Sequence, residues 1–143
     1  MSMTFPRRRL VVVLLVLAAV IILAYWTTWY AHREWLASSE DAAYEDFENA
    51  FPLADAWLAM TALLAAWALW KRRPSALLWL LCAGSAGVYL ACMDVLYDLQ
   101  HGVWWAGGSG GVVELVINLL TISGSAAGLL LGWRHRAALL AGQ

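Results

Sequence analysis

Residues 7–30 read RRRLVVVLLVLAAVIILAYWTTWY. Three arginines open a charge-free apolar run, and the aromatic group Tyr25-Trp26-Thr27-Thr28-Trp29-Tyr30 closes it. A hydrocarbon layer about 30 Å thick takes roughly 20 apolar residues of helix to cross. Leu10 to Tyr30 therefore has the length of one span. Arginines collect at the cytoplasmic face and indoles at headgroup level, so the run is expected to start inside the cell. A basic start before an apolar run also fits a secretory leader. No small residues precede a suitable cut, however, and the run ends in interfacial aromatics, so the helix is expected to be retained.

Working outward, three further runs have spanning length: Pro52 to Trp70, Ala76 to Leu96, and Val112 to Trp133. Of 143 residues, 63% are hydrophobic and 13% charged, which leaves too little polar sequence for a separate soluble domain. Backbone groups in lipid must be satisfied inside the segment, and continuous runs rather than alternating short pieces exclude a β-barrel. The expected fold is an all-α integral membrane protein. A single domain over residues 1–143 forms an antiparallel four-transmembrane-helix bundle, with its N-terminus and C-terminus cytoplasmic. The spans are 10–30, 52–70, 76–96 and 112–133, joined by outer loops 31–51 and 97–111.

Charge is sorted by sign along this layout. All 10 acidic residues fall on one side, while the 9 basic residues, except Arg33, fall on the other. The basic groups are Arg7-Arg8-Arg9, Lys71-Arg72-Arg73, and Arg134 with Arg136. Such a rim against anionic headgroups is an anchor and needs no other role. Trp26, Trp29, Trp70, Trp104, Trp105 and Trp133 end segments, with Trp57, Trp67 and Trp79 about a turn away, so all are expected in interfacial belts. The lipid bilayer is the expected partner, and nucleic acid is not. A multi-pass place in a cell membrane follows, and the Ala/Leu/Arg-rich, Lys-poor composition points to a bacterial plasma membrane.

The inner turn Lys71–Ser75 contains Pro74 and makes helices two and three a tight hairpin. In the first outer connection, Ser38 or Ser39 could cap a short helix with Tyr44, Phe47 and Phe51 on one face. The second holds Gly107-Gly108-Ser109-Gly110-Gly111, a flexible mouth or lid. Cys82 and Cys92, ten positions apart on one helix, are separated by about 15 Å and cannot pair with each other.

Helix four carries Glu114, Asn118, Thr121, Ser125, Gly128 and Gly132 as one stripe, overlapped by a helix-packing ladder of Gly124, Gly128 and Gly132. Helix three has Ala83, Gly87 and Ala91 below Asp94, Tyr97, Asp98 and His101. Helix two has Asp55 above Ala59, Ala62 and Ala66. Helix one, without charge after Arg9, is expected to be the most lipid-exposed. Asp55 and Glu114 start helices, where the dipole favours an anion by about 0.3–1 kcal/mol. Asp94 and Asp98 end one, where it does not, and as an i, i+4 pair they repel. An ionisable group in a span marks a functional site by default.

If these acids converge, Asp55, Asp94, Asp98 and Glu114 form a ligand-binding cup. Asn118 is its floor, His101 its rim, and Tyr89 and Tyr97 its walls. Repulsion would leave one acid protonated near neutrality or neutralised by a cation. No cofactor and no assigned metal site is expected. The histidines lie outside the spans, so haem has no ligands there, and one histidine without a nearby cysteine makes a weak zinc site. Asp94 and Asp98 share the Asp-xxx-Asp spacing of membrane prenyl- and phosphatidyltransferases. The chain is too short for the first and lacks the accompanying motif of the second.

Three function classes follow. The leading expectation is a membrane protein binding a proton, a cation or an amphipathic cationic or lipophilic ligand, with a transport role if it forms a homo-oligomer. The second is an accessory subunit whose acids pair with a membrane protein partner. The third is an isomerase or cyclase with Asp94 or Glu114 as catalytic acid on a lipophilic substrate.

Overall fold

The computed structural model describes residues 5, 7–37, 41–105 and 109–142, and every regular element among them is a helix. Helix α1 is Arg8–His32, followed by a 3₁₀ turn at Arg33–Trp35. The short α2 is Ala42–Glu48, α3 is Pro52–Trp70 and α4 is Ala76–His101. A second 3₁₀ turn, Val103–Trp105, leads to α5, Ser109–Arg134, and to the short α6, Arg136–Leu140. Four helical stretches are long and apolar enough to cross a membrane: Arg8–Trp35, Ala42–Trp70, Ala76–His101 and Gly110–Arg134.

Local sequence sets the ends of these helices. Pro52 opens α3 in the first turn, where its missing N–H loses no helical bond. Asp41 caps α2, its side chain accepting from the Ala43 N–H at 3.2 Å. Ser38 and Ser39, the expected caps, lie outside the described residues. Helix α4 runs on past Leu96 because no breaker intervenes before Gly102. That glycine takes the left-handed conformation, φ 66°, and gives its N–H to the Asp98 carbonyl. The expected outer loop 97–111 is thereby shortened, and Asp98 and His101 stand on helix.

The glycine run is corrected in part. Gly107 and Gly108 lie outside the described residues, whereas Ser109, Gly110 and Gly111 belong to α5. At Gly111 the lack of a side chain is required by packing. A Cβ there would overlap the Val103 carbonyl oxygen, so α5 seats directly on the preceding turn.

The helices pack in chain order, α1 along α3, α3 along α4, and α4 along α5. No extended contact joins α1 to α5, so this edge is not packed like the other three. Helix one was expected to be the most exposed, yet α5 is covered to the same small extent, each spanning window being 11% buried. At the basic end Phe5, Ala65, Ala68, Leu69, Ala76, Leu80 and Leu139 form one core. Around it Arg73 lies over Trp67, Lys71 over Trp70 and Arg136 over Trp133. At the acidic end Trp26, Trp29, Tyr44, Phe51 and Leu90 form a second core. Trp26 and Trp29 are therefore buried packing residues rather than belt residues, because α2 covers Trp29 through Tyr44 and Trp26 is turned to Asp55 on α3.

Helices α4 and α5 approach closely at two glycines of α4. A Cβ on Gly87 would overlap Ser125 Oγ, and one on Gly84 would meet Leu129 Cγ at 2.7 Å. Gly132 backs onto Leu77, Leu80 and Leu81, but added Cβ atoms at Gly124 and Gly128 would touch nothing within 4 Å. Of the glycine ladder on α5, only Gly132 packs closely against a neighbour among the described residues. Gly124 and Gly128 face away because α4 meets α5 along Ser125 and Leu129 instead.

Candidate functional site

Helix α2 is the roof of the acidic end. Its i, i+3 spacing puts Tyr44 and Phe47 on one face, and that face lies on α1 and α4. Phe47 stacks on Tyr97 with ring centroids 3.9 Å apart, and Tyr97 stacks on His101 at 4.0 Å. Tyr44 reaches both Trp29 and Tyr97. Trp29 Nε1 donates to Asn49 Oδ1 at 3.2 Å, which ties the C-terminal end of α2 to α1. Tyr97 and His101 thus belong to the roof contact, and the His101 ring is held by its Nδ1 against the Tyr97 carbonyl, 2.9 Å away.

Beneath the roof, carboxylates from four helices come within electrostatic reach of one another. Asp94 feels Glu48, Glu114, Asp55 and Asp98, and Glu48 feels Glu114 and Asp55. Asp94 stands one turn above the buried Leu90 on α4, so it points where Leu90 points, toward the interior. Glu48 is the member that sequence reasoning missed. Its signal was present: Glu48 follows Tyr44 by four residues, so a helix burying Tyr44 must turn Glu48 inward as well.

Glu48, Asp55 and Asp98 accept hydrogen bonds from neutral donors. Tyr25 Oη donates to Glu48 at 3.2 Å, and Tyr44 also bonds this carboxylate. Trp26 Nε1 donates to Asp55 at 2.8 Å. Asp98 Oδ2 accepts from Asn118 Nδ2 at 2.7 Å and from Trp104 Nε1 at 2.9 Å. That last trio clamps α4, the Val103–Trp105 turn and α5 together. Asp98 is 5% exposed and Asn118 2%. Among the described residues the recorded ion pairs are His32–Glu34 and Arg33–Glu45, and both lie outside the group. Arg33, the one basic residue at this end, is thus engaged at the rim.

The structure brings together Asp55, Asp94, Asp98, Glu114 and Asn118 and adds Glu48. It does not bring Tyr89, expected as a wall. Tyr89 is 66% exposed and borders a different groove between α3 and α4, about 720 Å³, with Ala54, Trp57, Cys82, Ser85 and Ala86. The reason is angular. Tyr89 lies five residues before Asp94, which places the two on different sides of α4. No group of three or more His, Cys, Asp or Glu among the described residues is arranged to hold a metal ion. The acids are near enough to influence one another without converging on a common coordination point. No protein-family model, characterised protein or solved structure matches the chain.

Proposed function

We propose that the chain crosses a membrane four times, with its basic end in the cytoplasm, and that the carboxylates at the opposite end bind a cation. The occupant is a proton or the head of an amphipathic ammonium. Orientation rests on the arginine and lysine clusters at one end of all four long helices. The observation that carries the binding reading is Asp94, within reach of four other acids and roofed by α2. Phenol, indole and amide donors soften the charge of Glu48, Asp55 and Asp98 without cancelling it. Anions grouped away from water are unfavourable unless protonated or paired, and a bound cation removes that penalty.

Toward the basic end the polar stripe of α5 continues only as Thr121 and Ser125 and then glycine. This supports a closed binding site more than a conduit. The test is thermal unfolding of the detergent-solubilised protein with amphipathic amines and with Ca²⁺, Mg²⁺ and Zn²⁺, using wild type and Asp94→Asn. A ligand at 100 times its Kd stabilises by about 2.7 kcal/mol. The expected result is an amine response in wild type that Asp94→Asn loses. An equal response of both, or of neither, removes Asp94 from ammonium and metal binding and turns attention to the accessory-subunit and enzyme readings.

A further inference from the structure

Asn118 holds the most specific information at the acidic end. Its amide N–H is given to Asp98, while its carbonyl oxygen, Oδ1, is fully buried and has no hydrogen-bond partner among the described residues. A buried carbonyl left without a donor is unfavourable, and in folded proteins such groups are rare. Asn118 lies one turn from Glu114 on α5 and is bonded directly to Asp98, so its unmet acceptor belongs to the carboxylate group. The site therefore asks for positive charge and also for an N–H or O–H donor.

We infer that the cation bound here is a primary ammonium, one N–H of which is taken by Asn118 Oδ1 while the carboxylates balance its charge. This inference rests on the cation-binding reading above. Three features separate it from other cations. A metal ion needs ligands converging on one point, and the described residues supply no such group. A quaternary ammonium has no N–H and is held by aromatic ring faces. Here Trp26 and Trp104 instead turn their N–H edges to Asp55 and Asp98. An ammonium can give one N–H to Oδ1 while the surrounding carboxylates balance its charge without sharing a coordination point.

The same head group occurs on a free amphipathic amine and on an aminophospholipid, and the experiment distinguishes these sources. Unfolding of the whole detergent-solubilised chain is followed against n-decylammonium and n-decyltrimethylammonium. It is also followed in mixed micelles of phosphatidylethanolamine or phosphatidylcholine with identical acyl chains. One hydrogen bond to a buried carbonyl predicts about five- to tenfold tighter binding of n-decylammonium than of its trimethyl analogue. In Asn118→Ala that preference falls to about one while the response to both amines persists. Because the preference is first measured on the unaltered protein, it decides the matter even if Asn118→Ala does not fold. Stabilisation by phosphatidylethanolamine over phosphatidylcholine assigns the head to a lipid, and its absence beside an amine response assigns it to a free amine. Equal affinity for the two decyl amines overturns this inference and leaves cation binding standing. A full preference in Asn118→Ala also overturns it. No response to either amine sinks the ammonium-binding reading on which this inference rests.

Discussion

Replacing Asp98 by alanine removes the acceptor that holds three elements together. Two hydrogen bonds are lost, from Asn118 Nδ2 at 2.7 Å and from Trp104 Nε1 at 2.9 Å. The Asn118 amide is then left with neither polar end partnered at a 2% exposed position. At about 1–3 kcal/mol for each bond broken at a buried group, Asp98→Ala is expected to lose about 2–6 kcal/mol. Trp104→Phe keeps the ring and deletes one donor, so it should lose about half as much. Asp98→Asn retains an acceptor and adds an N–H that Asn118 Oδ1 can take if the Asn118 amide turns over. Its loss should stay below about 1 kcal/mol. Equilibrium unfolding in detergent, followed by far-ultraviolet circular dichroism, ranks the three variants. The reasoning is refuted if Asp98→Ala lies within about 0.5 kcal/mol of wild type, the range of an ordinary surface change. A loss in Asp98→Asn matching that in Asp98→Ala would show that charge, not the bonding clamp, is what Asp98 supplies.

Gly87→Ala should destabilise by about 1–3 kcal/mol, since its Cβ meets Ser125, while Gly124→Ala should gain up to about 1 kcal/mol from helix propensity. Unfolding of the two variants side by side checks both, and equal effects would contradict the observed α4–α5 contact. Trp26→Phe should cost about 1–3 kcal/mol through the lost Asp55 bond. Trp57→Phe, at an exposed position, should cost almost nothing in the same assay, and a larger loss there than at Trp26 would reverse this assignment.

Much of the architecture was legible because apolar run length and charge sign are local properties. Pro52 and Pro74 and the Arg7–Arg9 and Lys71–Arg73 clusters mark helix ends without tertiary knowledge. The small inner seams were legible too, since Ala59, Ala62, Ala66, Ala83, Gly87 and Ala91 are all buried. Helix length past the last strong apolar residue was less legible. Tyr97 to His101 carries Asp98, Gln100 and His101 and reads as a span end, yet nothing breaks the helix before Gly102. The rotation of α5 was illegible in part. Gly124 and Gly128 look like a packing face, but the partner face is chosen by Gly84 and Gly87 on α4.

For the site, period-based reading placed Asp55, Asp94, Asp98, Glu114 and Asn118 on inward faces, because each continues a buried seam. It could not reveal that Trp26 and Trp104 donate to Asp55 and Asp98. Segment-end tryptophans have the same sequence appearance whether they meet headgroups or carboxylates. Glu48 escaped because the sequence shows a short helix with Tyr44, Phe47 and Phe51 on one face but not what that face covers. Its position on the Tyr44 face becomes meaningful only once α2 is seen folded over Trp29 and Tyr97.

The central claim is that the grouped carboxylates bind a cation through Asp94. Its most direct test is a calorimetric titration of n-decylammonium, below its micelle-forming concentration, into detergent-solubilised wild type and Asp94→Asn in parallel. The account predicts a saturable heat in wild type and only a weak, linear partitioning heat in Asp94→Asn. Saturable binding of equal affinity in both proteins, or none in either, would contradict it.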